Sequence, residues 1–199
     1  MSFGKKLMND LIDILESFDR KVLLFINSVN SPFLDEFMWM VSSVWFGVPF
    51  YILFIVLLAR TYNIKQVVFM IVLLLAVVSI CDLSAKYFFK EVFERWRPSH
   101  NEMLKDQLHF VNNYRGGKFG FVSSHAANMA GISSMVYFFL KHRFVKIGYL
   151  LVLFVLLISY SRVYLGVHYV SDVIGGMLLG FLISFSLYKF IGKINILKI

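Results

Sequence analysis

The sequence predicts an all-α protein, a polytopic membrane helix bundle of about five transmembrane helices preceded by an amphipathic interfacial helix. Hydrophobic residues make up 59% of the 199 residues, and the mean hydropathy is +0.73, whereas soluble domains are nearer half apolar. The apolar residues are also concentrated in runs that charged segments separate. This distribution indicates membrane spans rather than one large soluble core.

Five apolar segments are the predicted spans, and the whole chain, 1–199, is expected to form a single domain. The spans are 38–59, 64–86, 124–140, 145–161 and 168–190. The third and fourth fall short of the roughly 20 residues that a bilayer crossing needs. Ahead of them, residues 3–18 place apolar side chains on one helical face and charged side chains on the other. Residues 1–32 are therefore expected to form an interfacial N-terminal segment.

The formal net charge of +8 is the next constraint on function. A basic chain often binds nucleic acid, but charges that lie in loops between spans favour membrane topology and an anionic substrate, so no nucleic-acid partner is expected. Residues 60–65, 141–146 and 189–199 hold Lys and Arg without Asp or Glu, which assigns them to the cytoplasm. The long polar loop 91–123 then faces outward, to the periplasm or exterior of a bacterial inner membrane.

Three groups of polar residues lie near span ends on this outward face. They are Lys90 with Arg97 and Pro98, then Ser123, Ser124 and His125, and finally Arg162, His168 and Asp172. Arginine matches phosphate oxygens in bidentate fashion, and lysine adds a point charge. A serine that opens a helix adds free backbone N–H groups, which favour an anion. Together the groups predict a phosphate-binding site.

Two histidines could carry the chemistry of that site. His168 and Asp172 are four residues apart, so they share a face if both are helical. The carboxylate would orient one imidazole nitrogen and raise the basicity of the other. His125 supplies a second imidazole from a different span. One histidine as nucleophile and one as general acid would complete a phosphoryl transfer.

These groups resemble the three signature motifs of the type-2 phosphatidic acid phosphatase family, Lys-x6-Arg-Pro, Pro-Ser-Gly-His and Ser-Arg-x5-His-x3-Asp. The first motif matches at Lys90, Arg97 and Pro98, and the third matches in full from Ser161 to Asp172. The second matches at Ser123 and His125, but Val122 replaces the proline and Ser124 replaces the glycine. The three motifs occur in the family's order.

The resemblance implies a role for each matching residue. His168 would attack phosphorus to form a phosphohistidine, Asp172 would orient it, and His125 would protonate the leaving oxygen. The phosphate oxygens would be held by Lys90, Arg97, Arg162, Ser123 and Ser124. The family needs neither a metal nor another cofactor, so none is expected here.

A site at the membrane surface suits a lipid phosphate, surrounded by membrane lipids. Undecaprenyl diphosphate, phosphatidylglycerophosphate, phosphatidate and lipid A are the candidate substrates, and the oligomeric state stays open. Further candidates for substrate contact or for supporting the site are Asp82, Lys86, His100, Arg115 and Lys118. The cations of the loop would meet a second phosphate or a sugar phosphate, or they would be solvated charges that bind anionic lipid surfaces. They are Arg95, Lys105, Arg115 and Lys118. Asp82 and Lys86 would form an ion pair or orient Lys90.

Two other classes of function remain open from the residues alone. An anionic-lipid transporter or flippase would use the same cations without chemistry. A metal-dependent hydrolase would use His125, His168 and Asp172 as ligands.

Overall fold

The computed structural model describes residues 3–193, with side chains from residue 10 onward, and this part of the chain is helical. The α-helices are α1 (Phe3–Ser28), α2 (Pro32–Ser42), α3 (Val44–Ala59), α4 (Ile64–Ser84), α5 (Glu91–Phe93), α6 (Ser124–Leu140), α7 (Ile147–Tyr164) and α8 (Val170–Lys193). A π-helical segment (Ala85–Lys90) joins α4 to α5. Three 3-10 turns, Pro98–His100, Lys105–Gln107 and Val111–Asn113, lie before α6. The predicted all-α class is confirmed.

Some predictions concern residues outside this description. Residues 194–199 belong to the predicted cytoplasmic face, and the side chains of residues 3–9 belong to the predicted amphipathic helix. Neither set is described by the structure, so these parts of the two predictions stay untested.

Within residues 3–193, three helices are long and apolar enough to cross a membrane: Ile64–Phe93, Ile147–Tyr164 and Val170–Lys193. The first includes α4, the π-helical segment and α5, so it ends well beyond the predicted boundary at residue 86. The pair α2 and α3 makes a fourth span if the two helices are counted as one. The predicted span 124–140 is present as α6, but its 17 residues are fewer than a crossing usually needs. The expected number of about five therefore depends on how α6 and the bent pair are counted.

The first predicted span is broken at Ser43. Its backbone is extended (φ −82°, ψ 154°), and its amide and hydroxyl both donate back to the Met40 carbonyl, at 3.0 and 2.7 Å. These bonds end α2, and α3 starts again at a bend of 53°. Pro49 lies inside α3 and does not cause the break.

Helices α6 and α8 form the closest helix contact of the site region, because glycines lie where they meet. A Cβ atom added at Gly180 would lie 2.0 Å from the Ala127 carbonyl oxygen, and one at Gly176 would lie 2.4 Å from the Ser123 oxygen. Ser184 Oγ donates to the Gly131 carbonyl at 2.7 Å. Small residues allow such backbone contact between membrane helices, so the first turns of α6 and α8 are held side by side.

The opposite end of the bundle is held by its own contacts. Tyr62, in the turn between α3 and α4, donates its hydroxyl to the Phe139 carbonyl at 2.6 Å. The Lys141 ammonium lies over the Tyr188 ring at 5.7 Å. A buried apolar cluster fills this half of the bundle and includes Phe54, Leu58, Met70, Val77, Phe139, Leu140 and Leu151. The cationic loops predicted to be cytoplasmic therefore lie at one end of the bundle, and the three motifs lie at the other.

Helix α1 is longer than the pattern over residues 3–18 predicted, because it continues to Ser28. Its later part is docked on the protein. Leu23 is fully buried and Asn27 nearly so. The Asn27 amide donates to the carbonyls of Tyr164 and His109, at 2.8 and 2.9 Å. The interfacial position of the first part stays a prediction.

Replacement of Gly180 by alanine tests the α6–α8 contact. Gly180→Ala should lower the free energy of unfolding by about 1–3 kcal/mol, because the added methyl group overpacks a backbone contact. The control is Gly192→Ala in the same helix, where a Cβ atom would meet nothing within 4 Å. Thermal unfolding in detergent gives the comparison. Equal midpoints for the two variants would contradict the packing argument.

Candidate active site

The three sequence motifs meet at one end of the bundle. Lys90 comes from the extension of α4, Ser124 and His125 from the first turn of α6, and Arg162 from the last turn of α7. Electrostatic interactions link His125 to Arg162, His168, Arg97 and Lys90. The predicted convergence of the motifs is therefore present in the fold.

His168 lies in the turn between α7 and α8, two residues before α8 begins. Gly166, with φ of +68°, makes this turn possible because glycine adopts left-handed backbone conformations without strain. The sequence placed His168 inside the last span, on one helical face with Asp172. The two side chains do approach, with Nδ1 and Oδ2 3.4 Å apart, although His168 precedes the helix.

The surroundings of His168 favour its neutral form. Its burial and the charges of Arg97, Arg162 and Lys90 lower the pKa of His168 well below its ordinary value of 6.5. A neutral imidazole at physiological pH retains the lone pair that nucleophilic attack requires. The Asp172 carboxylate faces Nδ1, so Nε2 is the ring nitrogen that this carboxylate leaves free.

Asp172 is fully buried and holds the start of α8 in place. Its Oδ2 accepts from the Tyr169 amide at 3.0 Å, as a side chain in the first turn does in a capping box. Its Oδ1 accepts from Arg95 Nη1 at 2.6 Å. Its carbonyl accepts from the Ser123 amide at 2.9 Å, which joins the nucleophile turn to the start of α6.

Ser123 and Ser124 form the N-terminus of α6. Ser123 is the N-cap, and its Oγ accepts from the Ala126 amide at 3.5 Å. Lys90 Nζ donates to Ser124 Oγ at 2.7 Å, so the serine that replaces the motif's glycine is a partner for the motif's lysine. The free amides at this helix start and the Lys90 ammonium favour a bound anion.

Arg97 and Arg162 are buried arginines with unused donors. Arg97 Nε donates to the Phe119 carbonyl at 3.2 Å, whereas its Nη1 and the Nε of Arg162 are buried without a partner. Burial and the neighbouring charge of Arg162 lower the pKa of Arg97. Buried cations without partners are costly, so this cluster is suited to an arriving phosphate.

Two residues that the sequence did not indicate position Arg162. Its Nη1 donates to Ser42 Oγ at the end of α2, and its Nη2 donates to the Tyr114 hydroxyl at 3.2 Å. No spacing in the sequence relates these residues to Arg162, because they come from a predicted span and from the long loop.

The predicted pair of Asp82 and Lys86 is absent among the described contacts. Asp82 Oδ1 instead accepts from Asn128 Nδ2 at 3.0 Å, and Lys86 lies 4.0 Å from Glu91. The π-helical segment begins at Ala85, so the four-residue spacing no longer stacks the two side chains as it would in an α-helix.

The other loop candidates contact the loop itself. His100 Nε2 lies 3.3 Å from the Gly116 carbonyl. The Arg115 guanidinium donates to the Ser99 carbonyl at 3.3 Å, and the Lys118 ammonium lies 5.1 Å from the Trp96 ring centre. These contacts order residues 91–123, and a role for the three side chains in binding substrate stays a prediction.

Arg95 and Asp19 are the remaining polar residues next to the motifs. Arg95 was a candidate for a second phosphate, but both of its terminal nitrogens are bonded to carboxylates of the protein. Asp19 belongs to α1 and is buried. In the sequence it cannot be told apart from the exposed acids on the same helix.

Between residues 3 and 193, no group of three or more His, Cys, Asp or Glu side chains lies where it could hold a metal ion.

A cationic pocket with two histidines at one end of a membrane helix bundle defines a membrane-bound phosphatase. The chain belongs to the PAP2 superfamily, whose family model matches residues 64–196. It is 34% identical over 171 residues to the lipid A 4'-phosphatase of Porphyromonas gingivalis, covering 86% of this chain and 72% of that protein. The lipid A 4'-phosphatase of Bacteroides thetaiotaomicron is 33% identical over 171 residues, covering 85% and 75%.

A solved structure supports the same assignment. The crystal structure of a transmembrane PAP2-type phosphatidylglycerolphosphate phosphatase from Bacillus subtilis matches with a TM-score of 0.69 and 26% identity, covering 91% of this chain and 88% of that chain. The protein is therefore an integral membrane enzyme that hydrolyses a lipid phosphate.

Tyr114→Phe tests how Arg162 is positioned. The change removes the hydroxyl that Arg162 Nη2 bonds and keeps the ring, so kcat/KM should fall roughly three- to tenfold, as expected for one net hydrogen bond. Tyr149→Phe, at an exposed tyrosine near the start of α7, is the control. Phosphate release from a lipid phosphate in detergent gives both values. An unchanged kcat/KM for Tyr114→Phe would show that Ser42 alone is enough to hold Arg162.

Proposed function

We propose that the enzyme removes a phosphate monoester from a phosphorylated glycolipid of the lipid A class, through a phosphohistidine at His168. The observation that carries the proposal is the cluster of Lys90, Arg97 and Arg162 around a neutral, buried histidine. The substrate class is supported by two lipid A 4'-phosphatases that are similar over about 85% of the chain.

The phosphate would be bound by the unused donors of the pocket. Arg97 Nη1 and Arg162 Nε supply buried N–H groups, and the α6 N-terminus supplies backbone amides. Lys90 is directed to the same place by its bond to Ser124. As negative charge spreads over the phosphoryl oxygens in the transition state, these fixed donors stabilise it.

The chemistry would proceed in two displacements. In the first, the bound phosphate offsets the charges of the pocket cations, so that His125 binds a proton from water. His168 Nε2 then attacks phosphorus, the phosphorus–oxygen bond to the lipid breaks, and His125 gives the leaving oxygen that proton. In the second, His125 takes a proton from water, the water oxygen attacks phosphorus, and the phosphorus–nitrogen bond breaks to release inorganic phosphate. Asp172 stabilises the positive charge that His168 gains on phosphorylation.

The positions of the two histidines suit this division of roles. His168 is buried, whereas His125 is exposed. The leaving group is the lipid, which remains in the bilayer, so the general acid must stand on the open side. The nucleophile must lie opposite the leaving oxygen for an in-line displacement.

The pocket would face the periplasm or the exterior of a bacterial inner membrane. The support is the charge distribution, because Arg60, Lys65, Lys141, Arg143 and Lys146 lie at the end of the bundle opposite the pocket. Lys and Arg in short loops favour the cytoplasmic side.

His168→Ala and His125→Ala should both abolish efficient phosphate release. The loss of the general acid lowers kcat by about 10²–10⁴-fold, and the loss of the nucleophile should lower it at least as much. His142→Ala, an exposed histidine at the opposite end of the bundle, should keep full activity. Phosphate release by purified protein in detergent, with and without excess chelator, is the measurement.

The same variants distinguish the alternatives that the sequence left open. Wild-type protein that releases no phosphate, and variants that still bind anionic lipid, would favour transport without chemistry. Activity that disappears in chelator and returns with a metal ion would favour a metal-dependent hydrolase.

A panel of lipid phosphates tests the substrate class. We expect the largest kcat/KM for lipid A, with a product lighter by one phosphate in mass spectrometry, and smaller values for phosphatidate, phosphatidylglycerophosphate and undecaprenyl diphosphate. A preference for any of the other three would reject the glycolipid proposal and leave the phosphatase class intact.

A further inference from the structure

An acid of the N-terminal helix lies against the candidate active site. Asp19 of α1 is 2% exposed, whereas Glu16, one turn earlier, has an exposed side chain that pairs with Arg20 on the surface. A buried carboxylate on an otherwise solvated helix face requires a partner, and the partner of Asp19 comes from the first motif region.

Arg95 connects Asp19 to Asp172. Its Nη2 donates to Asp19 Oδ2 at 2.8 Å, and its Nη1 donates to Asp172 Oδ1 at 2.6 Å. The guanidinium carbon lies 4.3 Å from the centre of the Tyr169 ring. The planar group is therefore held at both terminal nitrogens and by stacking, which leaves it one orientation.

Asp19 also binds the first turn of α8 directly. Its Oδ1 accepts from the Ser171 amide at 2.9 Å, and Ser171 Oγ donates to its Oδ2. Ser171 adjoins Asp172 in the sequence, so Asp19 contacts the catalytic turn through two routes, the Arg95 guanidinium and the Ser171 backbone.

The charges explain why Asp19 is needed. Without Asp19, the Arg95 guanidinium would keep Asp172 as its one carboxylate partner, and its Nη2 would lose its acceptor. Asp19 holds the far side of its guanidinium, so that Arg95 stays on Oδ1 of Asp172 and Oδ2 stays toward His168 Nδ1, 3.4 Å away.

We infer that Asp19 is a positioning residue for catalysis, which acts through Arg95 to hold Asp172 beside the nucleophile. The inference rests on the proposed role of His168. It also extends the site beyond the family match, which covers residues 64–196, to a helix that the sequence assigned only to the membrane interface.

Asp19→Asn is the direct test, since it keeps the shape and removes the charge. We expect kcat to fall roughly tenfold, the size of effect that outer contacts of a reactive group typically have, with KM within twofold of wild type. Glu16→Gln removes an acid one turn away on the same helix and should leave both values unchanged. A fall in thermal stability with unchanged kcat would overturn the inference and indicate a structural role only.

A double-variant cycle separates positioning from general destabilisation. Arg95→Gln should lower kcat more than Asp19→Asn, and the combined variant should lose less than the product of the two single effects, because Asp19 acts in large part through Arg95. Multiplicative effects of the two changes would contradict this. Inhibition by inorganic phosphate should keep its concentration dependence in Asp19→Asn, because the phosphate donors are untouched.

Ser171→Ala provides a second test if Asp19→Asn does not fold. It removes the hydroxyl that donates to Asp19 and accepts from Arg95 Nη1 at 2.6 Å, so kcat should fall severalfold at constant KM, and an unchanged kcat would overturn the inference. Failure of the proposed function would give a different result, because His168→Ala would then retain activity. A normal Asp19→Asn beside an inactive His168→Ala would reject only the role of Asp19.

Discussion

The contact between the backbones of α6 and α8 is the constraint on which the rest of the site depends. Gly176 faces the Ser123 carbonyl and Gly180 faces Ala127 so closely that a methyl group would not fit. This packing sets Ser123 against Asp172, whose backbones share a hydrogen bond of 2.9 Å. The anion-binding helix start and the histidine turn are therefore parts of one rigid contact.

Around this contact, the arginines of the pocket and the Asp172 carboxylate lie near one another without forming an ion pair. Arg97 and Arg162 are buried and keep unused donors. Asp172 lies beside His168 Nδ1, and Arg95 neutralises its charge. If Asp172 could reach the pocket cations, it would occupy the place of the phosphate. The partner from α1 prevents this by fixing the Arg95 guanidinium.

The features that could be predicted from the sequence are those with a regular spacing, namely the helices and the three motifs. The apolar runs predicted the helices, and the three motifs predicted that Lys90, His125 and His168 meet. The bend at Ser43 was not predictable, because the run 38–59 is apolar on both sides of it. The Asp82–Lys86 pair was expected from α-helical spacing, which the π-helical segment interrupts. The roles of Lys90, His125 and His168 in catalysis remain predictions.

Asp19 shows a different limit of sequence reasoning. It shares the polar face of an amphipathic helix with Asp13 and Glu16, and only the docking of α1 makes it different. Its partner Arg95 is far along the chain, and the same is true of Ser42 and Tyr114 with Arg162. Such contacts depend on how helices are arranged, and no local spacing encodes them.

The short central helix has a consequence for how the lipid reaches the enzyme. The 17 residues of α6 extend about 26 Å at 1.5 Å per residue, less than the roughly 30 Å of a hydrocarbon core. Ten of its residues are buried, so neighbouring helices and not lipid surround much of α6. One of these neighbours, the helix Ile64–Phe93, continues past Lys90, which bonds to Ser124 at the start of α6. A head-group phosphate would therefore pass between helix ends to approach His125, while its acyl chains stay beside the longer helices.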